Sequence, residues 1–482
     1  MLHRVMCSNV GRKRRTRAGL EVLQKLADSD LLGKVWPCER VVLGRSVCRF
    51  LHNELLDHVI QVLFVQRGKP RNADAISTSL LTCRKQNRVT LRWKSDGDCA
   101  CDSHISPCTE IFNALDMAIA KGFGDQLVGL EMTHYAFVFF EASRLASILS
   151  QCRWVEHLSL PGCKLERFLF ESCTTLKHLD LSRNRLGSIP PMVLRTRYAI
   201  FHTDSLGSIP PTLLRTRYAV PSTDRVLPLP DNTAATTLAN HINNFQNLEH
   251  LDLSCNAIGI EGARSLSQGL SECASTVLRH LDLSFNVIRA GSVTELTRTL
   301  LQGCSTLRTL LLRNNNYEQS VTAISPSTFK TNQLKSCALQ TLDIGAVGIG
   351  VDGATRLSGI LCSCPNLSHL ALDDNALSQD GASYLASGLG ECTRLRQLRL
   401  GNNELGDHGV TVLASALGDC RELTDLELND NGIGVSGIAA LSRALPRCWR
   451  LERLDIRSNP GILVEGEGRL AVVMATMLNA VD

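Results

Sequence analysis

Between Leu367 and Asn459 the chain repeats one phrase four times: LSHLALDDN from Leu367, LRQLRLGNN from Leu395, LTDLELNDN from Leu423 and LERLDIRSN from Leu451. The starts are 28 residues apart (395−367, 423−395, 451−423). A frame L-x-x-L-x-L-x-x-N at a fixed period specifies a solenoid rather than a closed domain, because each unit buries its apolar face only against its neighbours. In such an array, function is read from a surface.

Each column of the frame has a physical reason. Leucines such as Leu398 and Leu400 alternate with Gln397, Arg399 and Gly401, the period of a short strand with one buried face. The asparagine column (Asn184, Asn256, Asn286, Asn315, Asn375, Asn403, Asn431, Asn459) suits a tight turn, where a short amide pairs backbone groups cut off from water. Gly381, Gly409 and Gly437 then precede a helix with apolar residues at four-residue spacing: Leu385 with Leu389, Leu413 with Leu417, Leu441 with Leu445. A unit reads strand, turn, helix.

The 28-residue unit, with a glycine opening a helix that ends in a cysteine, resembles the ribonuclease-inhibitor-like subclass of leucine-rich repeats. That resemblance implies an α/β fold: a leucine-rich repeat solenoid, or horseshoe, with a concave parallel sheet and convex helices, preceded by a small helical module. It covers roughly three quarters of the chain. It implies no single activity, since the subclass includes inhibitors, GTPase-activating proteins, immune receptors and ubiquitin-ligase receptors.

The array is expected over residues 127–482. LVGLEMTHY at Leu127 and VEHLSLPGC at Val155 are in frame, and LKHLDLSRN follows at Leu176 after only 21 residues (176−155). Two near-identical 20-residue segments then occupy 186–225, LGSIPPMVLRTRYAIFHTDS and LGSIPPTLLRTRYAVPSTDR, a tandem duplication that resembles shorter leucine-rich repeats. Ala199, Phe201, Ala219 and Pro221 stand where strand leucines belong, so residues 199–232 read either as distorted repeats or as a protruding loop. Long units resume at Leu248, Leu278, Leu307 and Leu339, where Val347 takes the asparagine place. A closing amphipathic helix is expected in GRLAVVMATMLNAVD.

Ahead of the array, residues 1–19 read as a basic disordered tail with six Lys/Arg and no acid. The net charge is +4, so the remainder sums to −2. Residues 20–65 carry a helical pattern broken at Pro37. LADSDLL, then Trp36-Pro37, then ERVVLGRSVCRFL is similar to an F-box, which would make Leu31, Val35 and Val47 adaptor contacts; the other reading is a cap sealing the solenoid. Residues 66–126 read as a linker and degenerate first repeat, with a strand at VTLRW from Val89 and a helix from Thr109. Cys99, Cys101, His104 and Cys108 between them do not have a common structural zinc spacing, and no metal or cofactor is expected.

Of the 19 cysteines, Cys152, Cys173, Cys364, Cys392, Cys420 and Cys448 sit three residues before a repeat's first apolar residue, so they read as small buried hydrophobes with free thiols. With no apolar run of membrane length and no signal-peptide core, a cytoplasmic or nuclear location is expected and membrane contact is not. Aromatics make up 5% and there is no basic stripe, so nucleic acid is not an expected partner.

The chain has no phosphate-binding loop, nucleophile elbow or H-E-x-x-H, and is read as non-enzymatic. One concave column carries His157, His178, His250, His280 and His369, and the next Asp180, Asp252, Asp282, Asp343 and Asp455. HLDLS is common repeat consensus, so this patch is read as structural. The expected function is a scaffold holding an unidentified protein partner through Arg313, Thr341, Asp343, His369, Asp373, Gln397, Arg399, Asp425, Glu427, Arg453, Asp455 and Arg457. The alternatives are an F-box-type substrate receptor of a cullin-RING ubiquitin ligase and a GTPase-activating regulator of a small GTPase.

Overall fold

A computed structural model describes residues 60–66, 76–77, 80–81, 89–95, 107–133, 135, 137, 139–187, 232–272, 277–315 and 337–460. The chain divides into two compact units, residues 1–135 and 136–482.

In the first unit, strands β1 (Ile60–Gln66), β2 (Val89–Ser95) and β3 (Leu127–Thr133) pair in parallel, and helix α1 (Pro107–Ala120) connects the last two. The helical periodicity read through Val65 therefore stops short of Ile60. IQVLFVQ is rich in β-branched and aromatic residues, and pairing with β2 outweighs its three-and-four spacing. Leu91, Phe112, Leu115 and Leu130 are fully buried.

The second unit contains the array. Helix α2 (Phe139–Ser150) is followed by β4 (His157–Ser159), β5 (His178–Asp180), α3 (Thr233–His241), β6 (His250–Asp252), α4 (Ile260–Glu272), β7 (His280–Asp282), α5 (Ala290–Gly303) and β8 (Thr309–Leu311). Next come β9 (Thr341–Asp343), α6 (Gly350–Leu361), β10 (His369–Ala371), α7 (Ser378–Leu389), β11 (Gln397–Arg399), α8 (Gly406–Leu417), β12 (Asp425–Glu427), α9 (Val435–Ala444) and β13 (Arg453–Asp455). The strands from β4 to β13 lie in sequence order and those from β4 onward pair in parallel and in register, leucine beside leucine, as in Leu370, Leu398 and Leu426. Those leucines are buried while Gln397 and Arg399 are exposed, the alternation that the frame requires.

Strand β5 pairs directly with β6, His178 opposite His250, so no strand of the duplicated 20-residue segments lies between them. The starts of these two units are 72 residues apart (248−176), one 28-residue unit plus 44. Residues 188–231, which hold all but the first two residues of the duplicated segments and nearly all of 199–232, lie outside the described residues. The unit from Val155 to Thr175 is short for a different reason: it has no helix, and Phe168 and Phe170 fill the space behind its strand.

Helices α7 and α8 begin at Ser378 and Gly406, three residues before Gly381 and Gly409, so these glycines lie within the first turn rather than ahead of it. Their role is close packing of neighbouring helices: a Cβ on Gly409 would stand 3.0 Å from the Cβ of Ala382 and 3.2 Å from the Cα of Gln379. The F-box-like segment, Cys99, Cys101 and His104, and the closing residues 461–482 lie outside the described residues, while the backbone of Cys108 lies in α1. Among the described residues, no helix is long and apolar enough to cross a membrane.

Candidate functional site

The face of the sheet opposite the helices is bordered by the asparagine column. All eight asparagines are at most 2% exposed, and their amides stitch consecutive repeats together. Asn403 Nδ2 donates to Leu372 O at 2.9 Å, Leu400 O at 3.0 Å and Gly401 O at 3.1 Å, while its Oδ1 accepts from Asn375 N at 3.0 Å. Asn431 repeats the pattern towards Leu400 and Asn403. At each of these turns the preceding residue is left-handed: φ is 59° at Arg183, 56° at Phe285, 54° at Ala346 and 52° at Asn402. Residues other than glycine rarely adopt that conformation; it recurs at Ala346 although Val347 supplies no amide there, and in all four cases the residue's own N–H donates to a carbonyl of the next repeat, at 2.7 to 2.8 Å.

The aspartate column proves to be a backbone device. Asp180, Asp252 and Asp282 each accept with Oδ1 from the N–H two residues on, at 2.9, 2.9 and 2.8 Å, and Asp343 does the same for Gly345 at 2.9 Å. Beside it, His157, His178, His250 and His280 form one continuous stack, with ring centroids 4.3, 4.1 and 4.1 Å apart and interplanar angles of 15°, 12° and 9°. Burial and the neighbouring His280 and His178 hold His250 down at about 4 from 6.5, and burial lowers His280 as well. Burial and Asp282 lift Asp252 to about 6, and burial raises Asp282. His250 is therefore neutral at pH 7. Among the described residues no group of three or more His, Cys, Asp or Glu side chains is arranged to hold a metal ion.

Towards the C-terminal strands the character changes to ion pairs. Arg313 donates through Nε to Asp343 Oδ2 at 2.9 Å and holds Asp373 with both terminal nitrogens, at 2.7 and 2.6 Å. This arginine spans β8 to β10, and Gly345 makes the crossing possible: a Cβ there would stand 2.4 Å from Arg313 Nη2. Burial opposes the charge on Arg313, but its bonds to Asp373 and the charges of both aspartates outweigh it and raise its pKa. Arg399 continues the line, 3.5 Å from Asp373 and 3.0 Å from Glu427.

The expected partner-binding residues thus fall into two groups. Arg313, Asp343 and Asp373 are brought together, one cation between two carboxylates with Asp373 only 8% exposed, because the gap at Gly345 lets them meet. Gln397, Arg399, Arg453 and Arg457 are exposed, with Asp425 and Glu427 half-buried among them and Arg457 paired with Asp455 at 2.6 Å. Thr341 and His369 are half-buried, and His369 Nδ1 lies 2.7 Å from Ser368 Oγ. Sequence reasoning missed Gly345 and the left-handed residues; a glycine in an outward column that also holds Arg313, Asp373, Gly401 and Asn429 was the available signal.

A family model described as Leucine Rich repeat matches residues 172–189, 246–267, 274–296, 363–386, 391–414 and 419–442. These are leucine-rich repeats. The matched stretches fall on the units around β5, β6, β7, β10, β11 and β12. Solved structures with similarity to the chain include an internalin (inlF) from Listeria monocytogenes str. 4b F2365, with TM-score 0.37 and 16% identity over 75% of this chain and 92% of that one. The tropomodulin C-terminal domain of Caenorhabditis elegans gives 0.27 and 16% over 30% and 86%, and TLR13 in its complex with ssRNA13 gives 0.41 and 14% over 83% and 56%. No curated protein matched the chain.

Proposed function

We propose that this chain is a non-enzymatic protein-interaction scaffold that holds a protein partner on the concave face of its repeats, at the end formed by β11, β12 and β13. The observation that carries this reading is the contrast along one face. Over β8 to β10 Arg313, Asp343 and Asp373 are paired with one another and largely covered, whereas Gln397, Arg399, Arg453 and Arg457 reach solvent on three adjacent strands. Three arginines alternate there with Asp425, Glu427 and Asp455. A mixed-sign polar surface of this kind suits another protein's surface, through charge complementarity that sets register and excludes wrong partners.

The ubiquitin-ligase and GTPase readings have no described residue in their favour, since Leu31, Val35 and Val47 lie outside the described set. Affinity purification of the full chain with mass spectrometry separates the three: adaptor and cullin, a GTPase, or another protein. For the scaffold reading, Arg399→Glu with Arg453→Glu removes the captured protein, because like charges across an interface cost several kcal/mol. Unchanged capture by that variant would refute the placement, and loss of capture by Leu31→Asp instead would favour the ligase receptor.

A further inference from the structure

The segments that lead into β11, β12 and β13 carry charge that the three preceding repeats lack. Residues 393–396, 421–424 and 449–452 hold four arginines, Arg394, Arg396, Arg421 and Arg450, all exposed, against two carboxylates, Glu422 and Glu452. The same positions ahead of β8, β9 and β10 (305–308, 337–340 and 365–368) hold one charged residue, Arg308. Parallel strands in register bring the three segments side by side, about 4.8 Å apart, so the arginines line one edge of the sheet.

Little of that charge is compensated within the chain. Glu422 accepts from Arg450 Nη1 at 2.6 Å and lies 3.7 Å from Arg396, so one carboxylate serves two guanidinium groups. Arg394 donates through Nη1 to a neutral amide, Asn366 Oδ1, at 3.0 Å. Arg421 has no side-chain bond or ion pair among the described residues. A guanidinium carries several N–H donors and no acceptor, so the edge presents donors in excess. Beside them Trp449 is 59% exposed, with Arg450 Cζ 4.7 Å from the centre of its ring. Glu422 holds Arg450 and Arg450 covers the indole, which is thereby braced before any partner arrives. Tryptophan and arginine are the residues on which binding energy concentrates where proteins meet.

We propose that this edge docks an acidic segment of a partner protein that carries an aromatic side chain. The partner's carboxylates take the free N–H groups of Arg396 and Arg421, since a carboxylate matches a guanidinium with two parallel bonds, and its aromatic ring lies against Trp449. A single-stranded nucleic acid matches the edge less well, because it stacks on successive aromatic platforms along an unbroken cationic groove. Here one exposed tryptophan stands among arginines interrupted by Glu422 and Glu452. The edge adjoins the face formed by Gln397, Arg399, Arg453 and Arg457, but none of those four residues enters the inference.

The test uses the full chain with the six Lys/Arg of residues 1–19 replaced by glutamine, so that the basic tail does not take up the probes. Three labelled probes are titrated by fluorescence anisotropy: octaglutamate, octaglutamate with a central phenylalanine, and octathymidylate. The phenylalanine peptide is expected to bind about threefold or more tighter than octaglutamate, and Trp449→Ala should abolish that advantage. Arg396→Gln with Arg421→Gln, its circular dichroism unchanged, should weaken both peptides about tenfold or more. Undiminished peptide binding by that variant would overturn the proposal, as would no binding by the parent chain. Octathymidylate bound more tightly than either peptide, and weakened by the same two substitutions, would overturn it in favour of nucleic acid.

Discussion

Replacing Asn403 by alanine is the most informative perturbation of the asparagine ladder, because the structure says which bonds have a substitute. Leu372 O also accepts from Asn375 Nδ2 at 2.9 Å, Leu400 O from Asn431 Nδ2 at 2.8 Å, and Gly401 O from Asp374 N at 2.9 Å. The three carbonyls therefore stay paired. The Asn375 N–H, which donates to Asn403 Oδ1 at 3.0 Å, has no second acceptor among the described residues. An orphaned buried N–H costs about 1–3 kcal/mol, and the shared carbonyl bonds add a smaller loss, so Asn403→Ala is predicted to cost about 2–4 kcal/mol. Asn403→Asp keeps the acceptor but buries a charge against three carbonyls, and is predicted to be worse. Gln397→Ala, on the exposed face, serves as control and stays within about 0.5 kcal/mol. Urea unfolding followed by circular dichroism gives the totals. Hydrogen exchange locates them, since stability in a repeat array is partly local and the Asn375 amide should lose protection first. A change under about 0.5 kcal/mol for Asn403→Ala, with Asn375 still protected, would refute the ladder as a source of stability.

Other predictions concern the same face. Arg313→Ala leaves Asp373 with only the longer Arg399 contact at 3.5 Å and Gly345→Ala displaces the guanidinium from it, so each should cost about 2–3 kcal/mol in denaturant unfolding, and the double variant little more than either. Val347, fully buried in the asparagine column, should accept Val347→Asn within about 1 kcal/mol because the ladder supplies partners, whereas Leu372→Asn should cost several times that. His250 is lowered from 6.5 to about 4, so its contribution to stability is present above 6.5 and is lost as pH falls from there through 4. Asp252, raised from 3.8 to about 6, opposes this: its contribution is full below 3.8 and fades as pH rises through 6. In unfolding measured from pH 7 to 4, His250→Gln should flatten the acid loss by about 1 kcal/mol, after allowance for screening of a half-exposed ring, and Asp252→Asn should steepen it.

What could be read from the chain was what the period carries: strand positions such as Gln397–Arg399, the buried amides and the column each outward side chain joins. What could not be read depends on relations the period does not encode. Arg313 is an exposed-looking arginine until Gly345, on the next strand, opens a path to Asp373 on the one after, a coupling over 60 residues. The left-handed residues Phe285 and Ala346 carry no glycine or asparagine signal, since their N–H groups are paired with Arg313 O and Asp373 O of the next repeat, bonds that no local pattern encodes. The direct pairing of β5 with β6, His178 opposite His250, joins residues far apart in the chain, which no local pattern reveals. Ile60–Gln66 is ambiguous for the common reason that a short apolar run suits a helix or a buried strand, and its partner β2 decides.

The location of the binding face is open to one direct measurement. A photo-crosslinking amino acid placed at Gln397, on the exposed end of the sheet, is compared with the same group at Tyr384, which is 50% exposed on helix α7 of the other side. Both full-length chains are irradiated in cell extract and the adducts are identified by mass spectrometry. The account predicts one discrete protein adduct from position 397 that disappears when Arg399→Glu and Arg453→Glu are added, and none from position 384. An adduct to the same protein from position 384 alone would contradict it.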